Sequence, residues 1–169
     1  MVAVHSNADR PGMSISTVLE ILSVLEAHEC RIWIAGGWGV DALLGRQTRS
    51  HRDLDLAVDA EHEALAVELL GGLGYQVETD WRPVRVELAS QDGWVDLHPV
   101  VFDQTGVGRQ ADVNGGQFEY PREAFTVGVL GDRPVPCLSR PAQIRFHSGY
   151  QPRATDVHDL ALLDDLGDE

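Results

Sequence analysis

A chain of 169 residues, 43% of them hydrophobic, has the size and apolar content of one globular domain with an adequate core. Its 13 lysines and arginines against 27 aspartates and glutamates give a formal net charge of −14, which argues against nucleic acids and acidic membranes as partners and favours small cationic molecules, unless the acidity serves only solubility. Its two cysteines, Cys30 and Cys137, lack a C-x-x-C spacing, so we expect buried thiols rather than disulfides or a zinc site.

The N-terminal segment carries no targeting pattern. Residues 1–13 contain no apolar run typical of a secretion signal, and no later run reaches the length of a membrane span. We therefore expect a cytoplasmic protein, with residues 1–13 as a flexible tail and residues 14–169 as a single domain.

The elements of the first half follow from periodicity and from the positions of glycine. Thr17 and Glu20 have the spacing of a capping box. The first predicted element is a helix, whose apolar positions recur with the helical period at Ile15, Val18, Leu19, Leu22 and Leu25. The next predicted elements are a strand over 31–35, a short helix over 38–44 ending at Gly45, a polar loop over 46–52, a strand over 54–58 and an amphipathic helix over 61–70.

The second half has a different hydrophobic pattern, in which short runs of alternating apolar and polar residues replace the helical period. The predicted elements are three strands of a β-meander over 75–79, 84–89 and 94–101, a loop over 106–116, a weak hairpin over 125–135, and helices over 141–150 and 155–165. The complete pattern predicts an α+β fold, with a mixed β-sheet flanked by helices.

One pair of motifs indicates a nucleotide and metal site. Gly36 and Gly37 end the first predicted strand, and glycines there let backbone N–H groups approach a phosphate closely. Asp53 and Asp55 alternate with leucine on the second strand, so both carboxylates point to one face. Two carboxylates on one face can share a divalent cation.

Six segments carry a family resemblance. They are Gly36-Gly37-Trp38-Gly39-Val40-Asp41, His51-Arg52-Asp53-Leu54-Asp55, Trp81-x-Pro83-x-Arg85-x-Glu87, Asp96-Leu97-His98-Pro99, Gly115-Gly116 and His147-Ser148-Gly149-Tyr150. On these segments the chain resembles the nucleotidyltransferase superfamily and, within it, the small lincosamide nucleotidyltransferases. The aminoglycoside 2″-adenylyltransferases are similar through the first two segments.

The resemblance implies a nucleotidyltransferase fold and an antibiotic-modifying enzyme. The implied reaction is magnesium-dependent transfer of a nucleoside monophosphate from ATP or GTP to a hydroxyl of a lincosamide, which is a small cationic drug, with release of pyrophosphate. An aminoglycoside adenylyltransferase is the nearest alternative, and a catalytically silent, antitoxin-type nucleotide-binding protein is a more distant one. Because the chain is short, a second copy in a homodimer would supply any missing wall of the pocket.

Three carboxylates form the predicted metal set: Asp53, Asp55 and Asp96. Magnesium prefers carboxylate and phosphate oxygens, and Asp96 alternates with apolar residues on its strand as Asp53 and Asp55 do on theirs. Glu87 competes with Asp96 for the role of general base. We favour Asp96 as metal ligand and base, and Glu87 as substrate-binding group or alternative base. The alternative for Glu87 is a surface ion pair with Arg85.

The polar loop supplies Arg46, Arg49 and Arg52, three cations within seven residues, which we predict bind the triphosphate. Pairing of these arginines with acidic side chains is the equally weighted alternative for each of them. In the Trp81 segment, we predict that Trp81, Arg85 and Glu87 contact the acceptor.

Other polar and aromatic side chains have a structural interpretation first. We expect His98 and His147 to be packed and hydrogen-bonded, and Asp41 to cap a helix or anchor the glycine turn, without a catalytic role. His51 is expected either to contact phosphate or to cap the turn. Packing in the core is the default for Trp38, Trp81 and Tyr120, with a place in a ligand pocket as the alternative.

Overall fold

The structure, a computed structural model, describes residues 12–148 and 151–167. Within these ranges the helices are α1 (Ile15–Ala27), α2 (Gly36–Leu44), α3 (Glu63–Gly72), α4 (Arg140–Phe146) and α5 (Ala154–Leu166). The strands are β1 (Ile32–Ala35), β2 (Asp53–Asp59), β3 (Gln76–Trp81), β4 (Arg85–Ser90), β5 (Gly93–Phe102), β6 (Gly108–Ala111), β7 (Gln117–Tyr120), β8 (Phe125–Leu130) and β9 (Arg133–Leu138). The predicted α+β class is confirmed.

All the strands belong to one mixed sheet. Its main path has the order β3-β4-β5-β2-β1-β9-β8, and β6 and β7 extend it from β5. The pairs β2/β5 and β1/β9 are parallel, whereas the other pairs are antiparallel. The predicted meander is therefore correct, and its third strand lies beside the strand that carries Asp53 and Asp55.

Two apolar cores hold the helices on the sheet. The larger core joins α1, α2 and α3 to the central strands, and it includes fully buried Leu22, Trp38 and Leu70. The smaller core joins α4 to the sheet through Ala142 and contains Tyr120. Burial of apolar surface in these two layers supplies the main driving force for the fold.

The N-terminus of α1 corrects one prediction. Ser14 is the N-cap, because its backbone is extended and its hydroxyl accepts a hydrogen bond from the Thr17 amide at 3.1 Å. Thr17 is thus the third helical residue, and the predicted capping box of Thr17 and Glu20 is wrong. The helix begins three residues earlier because a serine at the cap satisfies an otherwise free amide.

The segment 106–116 is not a plain loop, so that prediction is wrong for its middle. Residues Gly108–Ala111 form β6, which pairs with β5 and with β7. The turn between β6 and β7 is held by Asp112, whose Oδ1 accepts from the amides of Asn114 and Gly116. Residues 117–120 do alternate polar and aromatic side chains, but each of the two strands has only four residues, and each is stabilised by pairing with a neighbouring strand of the sheet.

Smaller differences concern the ends of elements. The first turn of the predicted 61–70 helix is a separate 3-10 turn, Ala60–His62, which precedes α3. The helix predicted over 141–150 ends at Phe146, and positions 149 and 150 lie outside the described residues.

The predicted tail, residues 1–13, lies almost wholly outside the described ranges. Its last residue, Met13, is buried, and its amide donates to the His51 carbonyl at 2.7 Å. Both Cys30 and Cys137 are buried free thiols, as expected. Among the helices that the structure describes, none is both long and apolar enough to span a bilayer.

Candidate active site

Four acidic side chains converge where the central strands meet. In the parallel pair β2/β5, Asp55 is the register partner of Asp96, and in the antiparallel pair β4/β5, Glu87 is the partner of Asp96. Asp53 lies two residues before Asp55 on the same face. The structure therefore brings together the four carboxylates that the sequence singled out.

The crowding of these carboxylates changes their ionisation. Burial raises the pKa of Asp53 to about 6, and the negative charge of Asp55 adds to the increase. Burial also raises the pKa of Asp96 to about 7, opposed by His98 and reinforced by Asp55. Close carboxylates in a desolvated site resist simultaneous ionisation, and a bound cation would relieve that repulsion.

The donor set fits a hard divalent cation. Candidate ligand atoms of Asp55, Asp96 and His98 all lie within 4.8 Å of one another. Asp96 Oδ1 is buried and has no hydrogen-bond partner among the described residues, which is costly for a carboxylate oxygen unless a ligand fills the gap. The carboxylate oxygens of Asp55 and Asp96 match the preference of magnesium. Asp53, the third ligand predicted from the sequence, lies on the same face of β2 but is not in this close group, where His98 stands instead.

Two arginines border the acids. Arg85 Nη1 lies 2.8 Å from Asp96 Oδ2, and Arg85 Nη2 lies 3.8 Å from Glu87. Arg52 Nη2 lies 3.6 Å from Glu87 and 3.9 Å from Asp53. Glu87 has a side chain only 11% exposed, so it belongs to this buried network rather than to an exposed surface pair.

His98 is buried and hydrogen-bonded, as expected, but its position is more informative than its packing. Its Nε2 lies 3.2 Å from Asp55 Oδ1 and 3.8 Å from Asp96 Oδ2. Burial acts to lower its pKa, and the hydrogen bond with Asp55 together with the charge of Asp96 outweighs that effect and raises it. The i, i+2 spacing from Asp96 was the sequence signal that would have placed His98 in the cluster.

The predicted glycine turn lies against the acids. Gly36 has φ +61° and begins α2, and a Cβ at this position would collide with the Asp55 carboxylate. The N-cap, Ala35, makes no side-chain cap hydrogen bond. The first amides of α2 thus form an uncapped helix N-terminus at the acidic cluster, a geometry suited to an anion.

The three loop arginines have different environments. Arg46 is exposed and lies outside the walls of both cavities described below. Arg49 pairs with Asp159 on α5, with Nε at 3.0 Å and Nη2 at 2.8 Å from its two oxygens. Arg52 faces the acids and stacks on the Trp94 ring, 4.3 Å from its centroid.

Asp41 anchors the loop and is not a helix cap. It is fully buried inside α2 and accepts from the Thr48 hydroxyl at 2.5 Å. Its second oxygen bonds to His51 Nε2 at 2.5 Å, and the His51 ring packs on Trp38. These contacts fix the course of the loop under the glycine turn.

Two cavities open at the acidic cluster. The first has a volume of about 530 Å³ and is lined by both glycines, the loop residues 49–52 and side chains of α5. The second has a volume of about 640 Å³ and is lined by residues of the β6–β7 hairpin. Both are bordered by Asp53, Asp55, Arg85, Phe146 and Arg153.

The three aromatic residues considered from the sequence lie in different environments. Trp38 is a core residue with no exposure, as the default interpretation predicts. Tyr120 is buried yet forms part of the wall of the second cavity, where its hydroxyl donates to Gln110 Oε1 at 3.2 Å. Trp81 is 59% exposed and outside both walls, with its ring over the Arg85 guanidinium at 5.0 Å.

Several residues at this site were not singled out from the sequence. Asp159 and Arg153 come from α5 and its approach, and Phe118 and Asp112 come from the β6–β7 hairpin. His147 is packed and hydrogen-bonded, as expected, and its partner is Asp159 at 3.1 Å. No local pattern places these residues beside Asp55, because they are brought there by packing between distant elements.

Comparisons with known proteins agree with this architecture. A profile of a family described as aminoglycoside-2″-adenylyltransferase matches residues 17–163. A lincosamide resistance protein of Staphylococcus haemolyticus is 39% identical over 144 residues, which are 85% of this chain and 89% of that protein. A 2″-aminoglycoside nucleotidyltransferase of Klebsiella pneumoniae is 42% identical over 62 residues, 34% of each chain.

One solved structure is similar over nearly the whole chain. It is the lincomycin-bound crystal structure of the lincosamide antibiotic adenylyltransferase LnuA, with 36% sequence identity and a TM-score of 0.83. The similarity covers 92% of this chain and 99% of that one.

Proposed function

This chain belongs to the aminoglycoside-2″-adenylyltransferase family and is a nucleotidyltransferase, and from that premise we propose that it transfers a nucleoside monophosphate from ATP or GTP to a lincosamide hydroxyl. The observation that carries the proposal is the meeting of two chemically different cavities at one set of carboxylates. A donor substrate and an acceptor substrate bound side by side would have their reacting atoms there.

The first cavity suits the nucleotide. The amides at the start of α2 and the guanidinium groups of Arg49 and Arg52 offer hydrogen bonds and positive charge to phosphate oxygens. We propose that Gly36 and Gly37 allow the phosphates to approach the backbone. Arg46, which is exposed outside this cavity, is a candidate for weaker, long-range attraction of the triphosphate.

The second cavity suits an amphipathic cation. Its walls include the rings of Phe118, Tyr120 and Phe146, which would pack against an apolar portion of the acceptor. Asp112 on the hairpin and the central acids supply negative charge for an amine. A lincosamide has one basic amine and a large apolar portion, whereas an aminoglycoside carries several ammonium groups that need several carboxylates. A lincosamide resistance protein that is 39% identical over 85% of this chain supports the same choice.

The proposed reaction is one displacement at phosphorus. The acceptor hydroxyl oxygen forms a bond to the α-phosphorus, the bond from that phosphorus to the bridging oxygen breaks, and pyrophosphate leaves. Asp96, whose buried Oδ1 has no hydrogen-bond partner among the described residues, is our candidate for taking the hydroxyl proton, with Glu87 as the alternative. Arg85 would orient both carboxylates through the contacts described above.

We propose magnesium as the metal. Asp53, Asp55 and Asp96 would hold it, and when bound it would activate the attacking oxygen and neutralise charge on the phosphates. His98 would keep Asp55 oriented through its 3.2 Å hydrogen bond. We further propose the cytoplasm, where nucleoside triphosphates and magnesium are available, as the compartment of the reaction.

The decisive experiment incubates the purified protein with magnesium, each of the four nucleoside triphosphates and a drug panel. Lincomycin or clindamycin should gain the mass of one nucleoside monophosphate, measured by mass spectrometry. If kanamycin or gentamicin is modified and neither lincosamide is, the acceptor is an aminoglycoside and not a lincosamide. The absence of any modified drug would refute the proposed function. Light scattering with and without substrates would test the predicted homodimer.

Calorimetry with a non-hydrolysable nucleotide separates the two candidate bases. Asp96→Asn should weaken metal-dependent nucleotide binding together with turnover, because Asp96 would be a metal ligand as well as the base. Glu87→Gln should reduce turnover and leave the metal dependence of nucleotide binding near wild type, because Glu87, which lines the first cavity, is not part of the proposed metal site. The opposite pattern would exchange the two roles.

A further inference from the structure

A buried carboxylate on α5 joins three elements at the wall of the first cavity. Asp159 has a side chain only 1% exposed, and it lies beside the loop that carries Arg49 and the end of α4 that carries His147. Its two oxygens receive Arg49 Nε at 3.0 Å and Arg49 Nη2 at 2.8 Å. His147 Nε2 lies 3.1 Å from Oδ2. This Arg49–Asp159–His147 cluster is separate from the four central acids.

The contacts of His147 favour its protonated form. His147 Nδ1 faces the Gln143 carbonyl at 2.8 Å while Nε2 faces Asp159, so both ring nitrogens point at acceptors, and a protonated ring would donate from both. Burial acts to lower the pKa of His147, and its hydrogen bonds to Asp159 and Gln143 outweigh burial and raise it. The guanidinium of Arg49 keeps its positive charge, so the cluster presents a cation at the wall of the first cavity.

The geometry of Arg49 points this charge at the glycine turn. Its Nη1 donates to the Ser50 carbonyl at 3.0 Å, and its Nη2 lies 2.5 Å from where a Cβ on Gly37 would stand. The bidentate pair with Asp159 occupies one N–H of Nη2 and leaves the other available. The guanidinium is therefore already fixed beside the first amides of α2.

We propose that Asp159 is a positioning residue for the nucleotide: it holds the Arg49 guanidinium beside the glycine turn and so increases affinity for the triphosphate. The inference rests on the proposed function, since it assigns the first cavity to the nucleotide. A free arginine side chain would lose conformational entropy when it bound phosphate, and a partner that fixes it in advance removes that cost.

The sign of the effect distinguishes this role from simple electrostatics. A negative charge near a triphosphate repels it, so neutralising Asp159 would strengthen nucleotide binding if charge alone mattered. Loss of positioning has the opposite effect. Asp159→Asn should weaken binding of a non-hydrolysable ATP analogue about tenfold, the factor that corresponds to 1.4 kcal/mol, in calorimetry without acceptor.

The matched control is Asp164→Asn, which removes the same charge from the same helix at an 81% exposed side chain and should leave nucleotide affinity unchanged. The KM for the acceptor drug should stay near wild type in both variants. Equal or tighter nucleotide binding by Asp159→Asn would overturn the inference.

A double-mutant cycle tests whether Asp159 acts through Arg49. In an Arg49→Ala background, Asp159→Asn should add less than about twofold, whereas equal weakening in both backgrounds would overturn the inference. If Asp159→Asn does not fold, Arg49→Lys keeps the charge, loses the bidentate pair and should weaken nucleotide binding. Unchanged affinity in Arg49→Lys would overturn the inference.

The wild-type protein separates this failure from failure of the proposed function. Wild type that binds nucleotide and modifies a drug, with variants that bind equally well, would overturn only the role of Asp159. Wild type that neither binds nucleotide nor modifies a drug would overturn both.

Discussion

Replacement of Gly36 by alanine tests the contact between the glycine turn and the acidic cluster. Gly36 has φ +61°, a left-handed conformation that costs an alanine about 1–2 kcal/mol. An added Cβ would also collide with a carboxylate oxygen of Asp55 and would lie 3.0 Å from Asp55 Cγ and 3.2 Å from Asp55 Cβ. A rotation of the Asp55 side chain cannot relieve the contact with its Cβ, so either β2 or the start of α2 must move.

Gly45→Ala provides a matched control for the backbone term. Gly45 ends α2 with φ +75°, and a Cβ there would meet no atom within 4 Å. Gly45→Ala should therefore lose about 1–2 kcal/mol of unfolding free energy and retain turnover. Gly36→Ala should lose about 2–5 kcal/mol, since overpacking adds about 1–3 kcal/mol to the strain.

Activity is the more sensitive measurement of this pair. Displacement of Asp55 would remove one part of the proposed metal site, so Gly36→Ala should reduce nucleotide transfer at least ~100-fold at saturating magnesium. Urea unfolding monitored by tryptophan fluorescence measures stability, and mass spectrometry of the drug measures turnover. A Gly36→Ala variant that is folded and transfers nucleotide at the wild-type rate would show that the glycine turn does not position Asp55.

Three further predictions follow from the same contacts. Magnesium should raise the melting temperature more in wild type than in Asp55→Asn, because the cation relieves repulsion only where the carboxylates are complete; equal shifts would argue against the metal site. His147→Gln should cost more unfolding free energy at about pH 6 than at about pH 9. Burial acts to lower the pKa of His147, but the hydrogen bond to Asp159 outweighs burial and raises it, so the stability that the histidine contributes is lost as the pH rises through its folded-state pKa. A cost independent of pH would contradict this prediction. Phe118→Ala should raise the acceptor KM more than the nucleotide KM, whereas Trp81→Ala should have a smaller effect that acts through Arg85; the reverse order would place the acceptor outside the second cavity.

Local sequence patterns were sufficient for much of the framework. Alternation of Asp53 and Asp55 with leucine predicted a strand with both carboxylates on one face, and that strand is β2. Gly45 predicted the end of α2, where it has the left-handed conformation of a helix C-cap. These features depend on residues within one element, so the information needed to predict them lies in a few neighbouring positions.

Prediction of the site required contacts between residues that are far apart in the sequence. Asp55 meets Asp96 only because β2 and β5 pair in one register, and a register is selected by packing of whole strands against the core. Arg49 and Asp159 are separated by 110 positions and meet only when α5 packs beside the loop. The sequence by itself determined which side chains carry the charge and which strand presents them. The tertiary structure alone decided which charges face one another, because electrostatic pairing depends on distances that separate elements acquire only when they pack together.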